Sequence, residues 1–77
     1  MQTNRLYVGN LKNSTDYEQL GKLFSPYGKV VEIKINTNRD FGFVRMSSNS
    51  QAKNAKAALD CSNFKGNFIR VIFSHTG

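Results

Sequence analysis

Seventy-seven residues suffice for one small domain, and a single cysteine, Cys61, excludes an intrachain disulfide. Eleven lysines and arginines against five acids give a net charge of +6, which favours polyanionic partners, nucleic acid before anionic lipid. No apolar run approaches the length of a membrane span and no leader pattern opens the chain, so a soluble intracellular domain is expected.

The chain begins with a β-prone run at 5–8, where Leu6 and Val8 alternate with Arg5 and Tyr7. Gly9 and Asn10 break it. Asp16, with Gln19 three residues on, predicts a helix opened by a capping box. Leu20, Leu23, Phe24 and Tyr27 follow at helical spacing, and Pro26 and Gly28 end the segment. Val31, Ile33 and Ile35 alternate with Glu32 and Lys34 in a second strand. Asn36-Thr37-Asn38 reads as a turn, and residues 41–46 as a third strand. Ser48 and Gln51 predict a second capping box, followed by a narrow stripe of Ala52, Ala55 and Leu59 with Lys53 and Lys56 outside it. Gly66-Asn67 turns the chain into a fourth strand at 68–73.

The order β-α-β-β-α-β predicts an α+β fold of ferredoxin-like type: a four-stranded antiparallel sheet with both helices on one face. Residues two apart on a strand share a face. Leu6, Val8, Val31, Ile33, Ile35, Val44, Met46, Ile69, Val71 and Phe73 are therefore assigned to the helix side. The opposite parity gives Arg5, Tyr7, Glu32, Lys34, Arg39, Phe41, Phe43, Arg45, Arg70, Ile72 and Ser74. That open face carries three aromatics and five cations against one acid. A strand aromatic is usually core. Here all three take the parity opposite to the aliphatic residues, and an exposed aromatic cluster marks a binding surface. Rings among cations suit single-stranded nucleic acid, whose bases stack on rings while arginine and lysine meet phosphates. Paired bases in duplex RNA already stack on one another and leave such rings unused.

Two segments carry a family resemblance. Leu6-Tyr7-Val8-Gly9-Asn10-Leu11 resembles the RNP2 hexamer of RNA-recognition motifs. Arg39-Asp40-Phe41-Gly42-Phe43-Val44-Arg45-Met46 resembles the RNP1 octamer, K/R-G-F/Y-G/A-F-V-x-F/Y. The resemblance spans essentially the whole chain and implies one such domain over residues 1–77. It implies that Tyr7 and Phe43 each stack a base, that Phe41 packs against sugars and that Arg39 pairs with a phosphate. Lys34, Arg45 and Arg70 are flanking face positions that tune sequence choice, with Arg5 on the same face. The segment Ser74-His75-Thr76 follows the last strand, where family members lend backbone contacts. Two residues depart from the pattern: Asp40 stands where RNP1 prefers glycine, and Met46 replaces the last aromatic at a position that points inward. A narrower similarity, in Ala57-Ala58-Leu59-Asp60, Lys65-Gly66 and Ile69-Arg70-Val71-Ile72-Phe73, is to the first motif of the Drosophila behaviour–human splicing family.

The resemblance implies single-stranded RNA as partner, a nuclear setting that admits shuttling to the cytoplasm, and a module of a larger RNA-processing or RNA-regulating protein. The domain by itself is expected to be a monomer, with other protein domains of the parent chain or complex as further partners. Two rivals come from the same topology. One is a peptide-binding module, whose members often lack the RNP aromatics present here. The other is an acylphosphatase, which needs an arginine-bearing phosphate loop, whereas Asn10-Leu11-Lys12-Asn13-Ser14 has none. No catalytic triad or carboxylate pair is evident. Cys61 and His75 match no metal spacing, so neither a metal nor a cofactor is expected. Membrane binding finds no support in either helix, because neither joins a basic face to a bulky apolar one.

Overall fold

The computed structural model describes residues 4–12, 15–36 and 40–74. In chain order these form β1 (Arg5–Gly9), α1 (Tyr17–Phe24), a 3-10 turn (Ser25–Tyr27), β2 (Val30–Asn36), β3 (Phe41–Met46), α2 (Asn49–Leu59), β4 (Asn63–Phe64), β5 (Asn67–Phe68) and β6 (Arg70–Phe73). The main sheet runs β2-β3-β1-β6 and every pairing in it is antiparallel. The two RNP-like segments thus supply the two middle strands. β4 and β5 form a separate small hairpin before the last strand.

Local chemistry explains where the helices start. Asp16 accepts the Gln19 backbone N–H at 2.8 Å, and the Gln19 side chain accepts the Asp16 N–H at 3.2 Å, so the first capping box is complete. Such a cap contributes about 1 kcal/mol. The second box forms by half. Ser48 Oγ accepts the Gln51 N–H, but the Gln51 side chain turns away to accept the Ser47 hydroxyl at 2.6 Å. Gly28, at φ 148°, lets the chain leave the 3-10 turn in a conformation other residues adopt with strain.

The core lies between one face of the sheet and the two helices. Leu6, Val8, Val44, Met46 and Val71 from the strands, with Ile69 just before β6, meet Leu20 and Phe24 of α1 and Ala52, Ala55 and Leu59 of α2. The small alanines let α2 lie close to the strands. Met46 is fully buried, which makes it a core replacement for the usual aromatic.

Three assignments change. Val31 is 53% exposed rather than inward. The register explains it: Val30 faces Met46 and Glu32 faces Arg45, so Val31 is the extra residue of a β-bulge. Val30 takes its place against the core. The fourth strand is shorter than 68–73. Phe68 pairs with Asn63 in the hairpin, while Ile69 donates its N–H to Ser62 and accepts the Cys61 N–H. Ser74, assigned to the open face, is buried at 8% and donates its N–H to the Arg5 carbonyl. Cys61 is exposed just after α2, at φ 64°.

Candidate nucleic-acid interface

The sheet face away from the helices is built around three rings. Tyr7 sits on β1 directly opposite Phe43 on β3. Phe41 lies two residues along β3, on the same side. Ring centroids are 5.6 Å apart for Tyr7–Phe41, and 5.8 Å for both Tyr7–Phe43 and Phe41–Phe43. The first pair lies nearly parallel, at 29°, while Phe43 meets the other two edge-on. The cluster holds its own geometry through ring–ring contacts, and each ring stays half-buried. Ile72, 40% exposed, lies opposite Tyr7 on the other side of β1 and widens the apolar patch.

Gly9 shapes this patch. A Cβ there would sit 2.8 Å from Cε1 and 2.9 Å from the hydroxyl of Tyr7. The tyrosine ring therefore lies along β1 across Gly9, towards Phe41. Gly42 answers a different need. A Cβ there would come 2.5 Å from the Lys34 carbonyl oxygen, so its absence permits the close approach of β2 and β3.

Asp40 occupies the RNP1 glycine position with φ 56°. This left-handed conformation explains the family's preference for glycine. Aspartate is among the few residues that tolerate it. The Asp40 carbonyl accepts the Leu11 N–H at 2.7 Å, which joins the end of the RNP2-like segment to the start of the RNP1-like one. Asn10, at φ 62°, makes a parallel connection: its side chain donates to the Phe68 carbonyl at 2.9 Å, and Asn67 donates to the Asn10 carbonyl at 3.2 Å.

The cations fare differently from one another. Arg5 stands 5.9 Å from the centre of the Phe43 ring, within cation–π range, and 3.5 Å from the Glu32 carboxylate. Arg45 is exposed, opposite Arg5 in one register and Glu32 in the other. Lys34 is exposed and opposite Phe43. Arg70 departs from the simple expectation, because its Nε donates to Asp60 at 3.1 Å. Asp60 also accepts the Val71 backbone N–H, and that bond, then the Arg70 contacts, holds its carboxyl below the usual carboxylate range. Arg39 and His75 lie outside the described residues. The structure thus places Tyr7, Phe41, Phe43, Arg5, Lys34 and Arg45 on one surface and draws Arg70 to its edge. Alternation alone places Ile72 on this face, and its aliphatic side chain carries no signal of nucleic-acid contact. The role of Gly9 beneath Tyr7 had no signal beyond its place in the motif.

Comparison with known proteins agrees with this geometry. The family model described as "RNA recognition motif" matches residues 6–70. The chain is 45% identical over 71 residues to Protein no-on-transient A of Drosophila littoralis, covering 92% of this chain and 10% of that protein. It therefore spans about a tenth of the length of that curated relative. Among solved structures, the C. elegans NONO-1 homodimer superposes with TM-score 0.88 at 37% identity, over 92% of this chain and 28% of that one. The Nab3-RRM, solved in a study of how it recognises cis elements of non-polyadenylated RNAs, superposes with TM-score 0.86 at 27% identity, over 96% of this chain and 97% of that one. No-on-transient A and NONO-1 are members of the Drosophila behaviour–human splicing family, whose first motif matches this domain. With its RNP-like strands paired at the sheet centre and the family model matched along most of its length, the chain belongs to the RNA recognition motif family.

Proposed function

We propose that this domain binds single-stranded RNA across the open face of the sheet, as one module of a longer RNA-processing or RNA-regulating protein. The observation that carries the reading is the triangle of Tyr7, Phe41 and Phe43 on the two middle strands, with ring centres 5.6 to 5.8 Å apart. One base stacks on Tyr7 and another on Phe43, and Phe41 packs against the sugars between them. Base–ring stacking is worth about 1–3 kcal/mol per base. Lys34 and Arg45 lie exposed beside the rings, where they tune sequence choice, and Arg39 meets a phosphate by its place in the motif. Arg5 supports Phe43 and keeps Glu32 from facing the RNA alone.

Residues 1–77 act as one domain in this reading, a view supported by the Nab3-RRM, whose whole chain is nearly matched. The domain is a binding module rather than a catalyst, and by itself a monomer. The parent protein works in the nucleus, in keeping with the likeness to Drosophila behaviour–human splicing proteins, and it engages further protein domains through parts beyond this one. No helix among the described residues is long and apolar enough to cross a membrane.

The test compares wild type and Tyr7→Ala by fluorescence anisotropy with short single-stranded RNA and with a duplex of the same sequence. Single strands should bind and the duplex should not compete. Tyr7→Ala should weaken binding about 5- to 150-fold, which corresponds to about 1–3 kcal/mol, with its melting temperature little changed. Equal binding by wild type and variant would remove the rings from the function.

A further inference from the structure

The open face does not offer all its cations on equal terms. β6 is an outer strand of the sheet, bordered by β1 alone. Arg70 begins that strand, opposite Gly9 and so beside the ring patch. Yet its Nε donates to Oδ1 of Asp60 at 3.1 Å, and the same oxygen accepts the Val71 N–H at 2.9 Å. Asp60 is the residue that closes α2. It stands in the helix layer and reaches the edge of the sheet from there. One carboxylate oxygen therefore fastens the end of α2 to the β6 backbone and also holds the guanidinium at the sheet edge. The Asp60 side chain is 24% exposed and that of Arg70 61%. The acid is fixed in place, and the arginine is the partner with freedom to leave.

A carboxylate and a phosphate compete for the same guanidinium fork. On the reading that RNA lies across the open face, we propose that Asp60 is a positioning residue that withholds Arg70 from the phosphodiester backbone. Phosphate contacts add affinity for every sequence alike, whereas base contacts discriminate. Holding one arginine back lowers the sequence-independent part of binding and leaves more of the total to the rings and base edges. The domain then binds less tightly, and with a shallower salt dependence, than its open-face charge alone implies. The Val71 bond gives Asp60 a structural task as well, so a useful variant must keep that bond while removing the charge.

Asp60→Asn does this, because the amide oxygen can still accept the Val71 N–H. Affinity for a random-sequence single-stranded RNA octamer would be measured across a range of salt for wild type, Asp60→Asn, Arg70→Ala and the double variant. Asp60→Asn should bind more tightly, with a salt slope steeper by about 0.7, so that its advantage shrinks about 2.6-fold from about 50 to about 200 mM salt. Arg70→Ala alone should keep the wild-type slope, and in the double variant the gain should vanish. An Asp60→Asn protein no tighter than wild type would overturn the proposal, as would a gain that persists without Arg70. If Asp60→Asn fails to fold, Arg70→Ala still decides: a slope shallower by about 0.7 means that the arginine already reaches phosphate. A Tyr7→Ala control separates this proposal from the platform itself. Undiminished RNA binding there would discard the sheet surface whatever Asp60 does.

Discussion

The two faces of the central strands use the same backbone for opposite purposes. On β1, Leu6 and Val8 are fully buried against the helices, while Tyr7 between them stays half-exposed among its aromatic neighbours. On β3, Val44 and Met46 are fully buried, and Phe41, Phe43 and Arg45 point the other way. Alternation along a strand puts the two roles one residue apart. Stability and binding should therefore be separable by substitutions at neighbouring positions. Aromatic residues are informative here because they lie on both sides of the sheet, Phe24 of α1 on one and Phe43 of β3 on the other. Phe24 is 0% exposed and belongs to the core, whereas Phe43 belongs to the surface although its chemistry is the same.

The largest expected effect lies on the core side. Phe24→Ala should cost about 3–5 kcal/mol, comparable to the whole stability of a small domain. Thermal or urea melts followed by circular dichroism should show a largely unfolded chain at ambient temperature. A cooperative melt near that of wild type would mean that the core does not depend on the α1 contact. This outcome contrasts directly with Tyr7→Ala, for which the fold survives and the affinity falls.

A subtler break tests whether ring position matters as well as ring presence. Gly9→Ala places a methyl group where the Tyr7 ring lies, within 3 Å of its Cε1 and hydroxyl. The ring must swing away from Phe41. RNA affinity should drop by less than in Tyr7→Ala, by about 1 kcal/mol, taken as a part of one stacking contact. Titration by anisotropy together with a melt would check it. Lost stability with unchanged affinity would show that Gly9 serves the strand alone.

The smallest effect is expected at the junction of the two motifs. Asp40 holds a left-handed conformation that glycine adopts without a side-chain penalty. Asp40→Gly should leave stability within about 0.5 kcal/mol of wild type, since the relief at φ 56° is offset by extra freedom in the unfolded chain. Removal of the acid beside the RNP1-like strand should also tighten RNA binding modestly. A chemical melt and a low-salt titration read the two effects apart. Weaker binding would mean that the carboxylate takes part in recognition.

Much of this was legible in the residues. The alternation at 5–8 and 41–46 fixed which side of the central strands carries the rings, and the Asp16 and Gln19 pair located the start of α1. What escaped depends on pairings and side-chain partners that apolar periodicity does not reveal. The bulge at Val31 arises from the pairing of Val30 with Met46 and Glu32 with Arg45, and an uninterrupted apolar alternation gives no sign of it. The last strand is shorter than its apolar run because Ile69 spends its backbone hydrogen bonds on Ser62 and Cys61. The second capping box forms by half because Ser47 takes the Gln51 side chain. Arg70 is the instructive case for the site. Parity gives the direction in which its Cβ leaves the strand, but a long side chain goes where its counter-ion stands, and Asp60 is brought there by the fold.

The central claim is that the ring-bearing face of the sheet is the RNA platform. The most direct test is an NMR titration of this domain with short random-sequence single-stranded RNA, following backbone amide shifts residue by residue. Shifts concentrated at Tyr7, Phe41, Phe43 and Lys34, with α1 and α2 quiet, are the predicted result. Shifts confined to the helices, or none at millimolar RNA, would contradict it.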